Sequence, residues 1–135
     1  MTVIKKTESI GDTVTIEGES GNLEFSYNFV VTPDLIKKFR QLEIKKAAAE
    51  KDTTKQENVE IIGKCIVEIF ALFFGEENSK KILNFYSGDY ASMCQDFIPY
   101  IYNAIVPKVQ EMAKRQKALA KRKFRWLNKP YLNRL

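Results

Sequence analysis

Apolar and polar residues alternate strictly from Leu23 to Phe29, then give way to a three-to-four-residue rhythm that lasts to Met112. The alternation predicts β-structure. In "TVTIEGESGNLEFSYNFVV", Val14 and Ile16 precede a turn, "EGESGN", in which Gly18, Gly21 and Asn22 supply tight backbone geometry. Leu23, Phe25, Tyr27 and Phe29 would face a core, and Glu24, Ser26 and Asn28 would face water. Val3–Lys6 is a candidate short edge strand.

The helical rhythm starts at Thr32-Pro33-Asp34, which has a capping hydroxyl, a proline for the first helical position and an acid for the positive end of the dipole. Leu35, Ile36, Phe39 and Leu42 mark one face, and the pattern fades near Asp52–Thr54. Val59, Ile62, Ile66, Ile69, Phe70 and Phe73 form the clearest stripe. Gly75 ends it. Glu76 and Glu77 open a short helix that packs Ile82, Leu83, Phe85 and Tyr86 inward. Gly88 stops that helix and Asp89 caps the next. Met93, Phe97, Tyr100, Ile101, Ala104, Ile105, Lys108, Val109 and Met112 share a long face interrupted by Pro99 and Pro107. Each proline removes a hydrogen bond and crowds the carbonyl four residues back, so a kink or restart is expected near Pro99 and a lesser bend near Pro107.

The expected fold is α+β, mainly α: an N-terminal β-hairpin or small antiparallel sheet, then four or five helices, the last long and proline-kinked. Residues 1–112 form a single globular domain, with 1–31 the hairpin and 32–112 helical. Residues 113–135 form a basic helical tail that leaves the body. Charge sharpens this division. Residues 1–107 hold 12 Lys/Arg against 16 Asp/Glu, a balance of −4, whereas residues 108–135 hold 10 Lys/Arg against Glu111 alone, a balance of +9. No apolar run approaches the roughly 20 residues of a membrane span, and Met1–Ile10 has no secretory apolar core. The expectation is a soluble intracellular protein, with Cys65 and Cys94 as thiols rather than a disulfide.

There is no histidine. That excludes Ser-His and Cys-His pairs and any His-bearing zinc site, leaving an enzyme only carboxylates, Lys, Tyr or Cys. "GEENSKKILNFY" has neither the glycine and lysine spacing of a phosphate loop nor the alternating acids of a calcium loop. Glu76 and Glu77 are more simply dipole partners than acid–base groups, and no cofactor is expected. Tyr100 and Tyr102 do not share a helix face, so one aromatic should be exposed or in an interface. The tail "KRQKALAKRKFRW" suits a protein partner and nucleic acid equally. Its apolar positions are too sparse for strong membrane insertion.

The segment "LFFGEENSKKILNFYSGDYASMCQDFIPYIYNAIVPKV" resembles the tail assembly chaperones of long-tailed, siphovirus-type bacteriophages and prophages of Gram-positive bacteria. The similar elements are the turn at Leu72–Gly75, the "ILNFY" helix at Ile82–Tyr86, and the helix carrying Met93, Ile98-Pro99 and Ile105-Val106-Pro107. The likeness covers about residues 57–127 and includes the basic stretch. It implies a non-enzymatic protein that coats the tape measure protein in the host cytoplasm before tail tube polymerisation and is absent from the mature virion. It also implies self-association and a longer frameshifted form, of which this chain would be the short counterpart. The expected partner-binding residues are Leu35, Phe39, Tyr90, Tyr100, Tyr102, Lys114, Arg115, Lys121, Arg122, Phe124 and Trp126. The alternative is a small nucleic-acid-binding protein using Lys114–Arg125.

Overall fold

The computed structural model describes residues 1–5 and 8–123. Strands β1 (Ile10–Gly18) and β2 (Gly21–Phe29) form an antiparallel hairpin in which Val14 faces Phe25 and Ile16 faces Leu23. Glu19 and Ser20 make the turn without positive φ, and Gly21, at φ +135°, carries the torsion that closes it. Phe25 and Tyr27 are buried, whereas Glu24, Ser26 and Asn28 are exposed. The expected edge strand at Val3–Lys6 is absent over residues 1–5, and Lys6 lies outside the described residues. Val3 and Ile4 are adjacent, so a strand would put only one on each face; both are exposed.

Helix α1 (Pro33–Glu50) starts as its sequence demands: Thr32 Oγ1 accepts from the Leu35 N–H at 3.1 Å, and Pro33 occupies the first turn. A loop over residues 51–55 leads into α2 (Gln56–Phe74), the central helix of the core. Ile66, Ile69, Phe70 and Phe73 are buried on it, as is Phe74. Val59 is 40% exposed, contrary to its place in the stripe. It sits in the first turn, beside a loop that is itself mostly at the surface. Gly75, at φ +90°, separates α2 from α3 (Glu76–Phe85). Two side chains tie α3 down. Ser79 Oγ donates to the Val67 carbonyl at 2.9 Å, and Asn78 Nδ2 donates to the Phe74 and Ser26 carbonyls, each at 2.9 Å.

The end of α3 is a Schellman closure. The Gly88 N–H reaches the Leu83 carbonyl and the Ser87 N–H reaches that of Asn84. The left-handed residue is therefore Ser87, at φ +51°, ahead of Gly88 at φ +76°. Asp89 then caps α4 (Tyr90–Tyr100), accepting from the Ser92 N–H at 3.2 Å and the Ser92 hydroxyl at 2.7 Å. These bonds favour the carboxylate and hold the Asp89 carboxyl below its ordinary pKa.

A continuous helical run carries α4 through a π turn (Ile101–Ile105) into α5 (Val106–Lys123). In place of the kink or restart expected near Pro99 and the lesser bend expected near Pro107, α4 includes Pro99 and the departure from α geometry is this π turn between the prolines, with the Val106 N–H bonded to the Ile101 carbonyl. The apolar spacing gives the reason. Met93, Phe97, Ile101, Ile105 and Val109 recur every four residues, and all are buried. In an uninterrupted α-helix each such step overshoots by about 40°, so Val109 would end roughly opposite Met93. The wider π turn winds the face back. Helix α5 runs on through Met112 into the basic stretch, and Gln116 Nε2 donates to the Val31 carbonyl at 2.9 Å.

Candidate functional site

An apolar groove of about 530 Å³ lies between α1 and α5. Pro33, Ile36 and Ile44 line one wall, and Ala113 and Ala120 line the other. Both walls follow from helical spacing. Positions 36, 40 and 44 lie along one edge of α1, next to the edge that carries buried Leu35 and Phe39. Positions 113, 116, 117 and 120 lie along one edge of α5. Small alanines there, opposite Ile36 and Ile44, keep the groove open, and Ile44 is 70% exposed. Gln116, bonded to the chain just before α1, fixes the spacing of the walls.

The rim is cationic. Lys37, Arg40 and Lys117 line the groove, and none takes part in an ion pair among the described residues. Ile36, Arg40 and Ala113 also border an adjoining pocket of about 330 Å³. There Tyr102 donates its hydroxyl to Glu43 Oε2 at 3.3 Å and packs on Phe39. Burial, then the Glu43 charge and hydrogen bond, push the Tyr102 phenol up to about 12. Tyr102 therefore stays a neutral donor across the physiological range.

The structure places the expected contact residues in three ways. Leu35 and Phe39 are buried in the core, each 7% exposed. The covered face of α1 is theirs; the open face belongs to Ile36, Arg40 and Ile44. Tyr90, Tyr100 and Tyr102 are half-buried and engaged within the chain. The Tyr90 ring lies over Gly63 of α2, where an added Cβ would come within 2.8 Å. The Tyr100 hydroxyl is 2.7 Å from that of Tyr27. Lys114, Arg115, Lys121 and Arg122 are exposed on α5, outside the groove lining, and Arg115 pairs with Glu111 at 2.6 Å. Phe124 and Trp126 lie outside the described residues.

A second cleft, of about 500 Å³, lies between β1 and α4, where Tyr86 donates to Asp96 Oδ2 at 2.7 Å. Cysteine lines neither concavity. Cys65 and Cys94 are free thiols that burial pushes up, away from the thiolate. Among the described residues no three Cys, Asp or Glu side chains are grouped to hold a metal ion, and no helix is long and apolar enough to cross a membrane. No protein-family model matches the sequence, and no curated protein or solved structure shows significant similarity to it.

Proposed function

We propose that this chain is a non-catalytic binding protein that takes an apolar helical stripe of a partner into the α1–α5 groove. Its role is that of a phage tail assembly chaperone whose client is the tape measure protein. The observation that carries the reading is an open apolar groove with three cations on its rim. From Pro33 to Ile44 the α1 wall spans about 17 Å, or three helical turns. That length accommodates the i, i+4 and i+7 side chains of one client helix. The cationic rim selects clients whose apolar stripe is flanked by acids. The likeness of residues 57–127 to tail chaperones supplies the identity of the client. On this reading the protein acts in the host cytoplasm, leaves before the virion is complete, and gains avidity from several copies on one long client.

The test is co-expression with a tape measure protein, with and without Ile44→Glu. The expected result is soluble client that co-purifies with the wild-type chain and is lost with the variant. Ile44 is largely exposed, so the variant should fold normally, which circular dichroism checks. The reading fails if the client stays insoluble while the chain alone retains nucleic acid in a salt-sensitive manner. That outcome would favour nucleic-acid binding through Lys114–Arg125.

A further inference from the structure

The hairpin has two edges, and they differ. Closure on the Gly18–Gly21 pair through a two-residue turn makes the even-numbered residues of β1 the hydrogen-bonded partners of β2. The N–H and C=O groups of Gly11, Thr13, Thr15 and Glu17 therefore point away from β2. Two contacts agree with this. The Thr13 and Ser26 hydroxyls meet at 2.8 Å, as suits a pair that exchanges no backbone bonds, and the outward Thr13 N–H donates to its neighbour Asp12 Oδ1 at 2.8 Å. On β2 the outward Ser26 carbonyl is taken by Asn78 of α3. On β1, among the described residues, no backbone bond takes the outward groups of Thr15 and Glu17. Such an edge is a template for another strand.

The surroundings select its occupant. The second cleft lies along this edge, lined by Val14, Ile16, Tyr86, Phe97 and Tyr100, with Asp96 among them. From Glu8 to Ile36 the sequence holds six acids and no Lys or Arg. After Met112 it holds nine Lys/Arg and no acid. The segment 124–129, FRWLNK, follows directly on α5. Phe124 and Trp126 alternate with Arg125, and Pro130, which lacks an N–H, would end a strand there.

We propose that residues 124–129 of one copy add as a third strand to the β1 edge of a second copy. Trp126 covers the cleft, and Arg125 lies on the outer face with Glu17. Within one copy these residues cannot reach that edge. The 23 residues from Tyr100, at the cleft, to Lys123 carry the helix roughly 35 Å away. Residues 124–129 follow directly, and six extended residues span at most about 20 Å. The contact is therefore between copies and heterologous. Each molecule offers one edge and one tail, so copies join head to tail. The inference needs no client and stands apart from the groove.

Sedimentation velocity on the purified, nuclease-treated full chain tests it. The wild type should assemble at low salt and dissociate at high salt. Thr15→Pro removes one outward N–H and spares the β1–β2 ladder, so it should weaken assembly at least ten-fold while exchange protection of the inward amides persists. Asp12→Lys/Glu17→Lys and Arg125→Glu/Lys129→Glu should each be monomeric alone and should associate when mixed, because each then offers the charge the other lacks. Three results would each overturn the proposal: a wild type that stays monomeric at low salt, a Thr15→Pro chain that assembles like wild type, or a mixed pair that does not associate.

Discussion

Ser87 holds a backbone conformation that its own side chain disfavours. Its φ of +51° is the only positive value at a non-glycine position among the described residues, and it closes α3. The left-handed region costs such a residue about 1–2 kcal/mol. Glycine avoids that cost but loses more chain entropy on folding, about 0.5–1 kcal/mol. Ser87 is exposed and, among the described residues, its side chain makes no hydrogen bond, so little else is lost on replacement. Ser87→Gly should therefore raise stability by roughly 0.5–1 kcal/mol in urea denaturation. A fall in the midpoint would show that Ser87 contributes something beyond backbone shape. Gly63 is the converse case. Its missing side chain is the space the Tyr90 ring fills, so α4 seats on α2 at a position where the sequence shows only a glycine inside an apolar stripe.

At the scale of the element, the π turn accommodates one residue more than a regular helix would hold. If Asn103 is removed and the run becomes α-helical, Met93, Phe97, Ile101, Ile105 and Val109 fall within an arc of about 80°. Pro107, now in the first turn of α5 directly after the π turn, would then sit in the middle of an uninterrupted α-helix, where its ring clashes, so the comparison is made in a Pro107→Ala background. There, deletion of exposed Asn103 should cost about 1 kcal/mol or less. Deletion of exposed Gln95, within regular α4, should cost more than about 4 kcal/mol or abolish folding, because it swings Phe97 out of the core. Equal urea midpoints for the two deletions would refute this account. The prolines at 99 and 107 signalled an irregularity but not its kind. The signal for the kind is the four-residue apolar spacing, which a straight α-helix cannot keep on one face. The hairpin, by contrast, was legible from alternation alone, because only one register buries Phe25 and Tyr27 together.

At the scale of the whole molecule, the candidate site comes from which helices become neighbours, and sequence periodicity does not report that. Leu35 and Phe39 on one edge of α1, and Ile36 and Ile44 on the next, look alike as apolar residues. Only the packing of α2 and the π turn against the first edge leaves the second open beside α5. The basic run on α5 was visible as charge, yet the residues at the groove, Ala113, Gln116, Lys117 and Ala120, are the less charged part of it. Grooves and cores respond oppositely to added volume. Ala113 is half-buried and Ala120 exposed on a helix whose other edge is packed, so leucine at both adds apolar atoms to open space. Helix propensity barely changes from alanine to leucine. Ala113→Leu/Ala120→Leu should therefore alter folding stability by no more than about 0.5 kcal/mol. The same change fills the space a client side chain would occupy, so retention of a client helix should fall at least ten-fold in a pull-down. Loss of stability by several kcal/mol would mean that the walls are a closed core contact. Unchanged stability with unchanged client retention would move the client to another face.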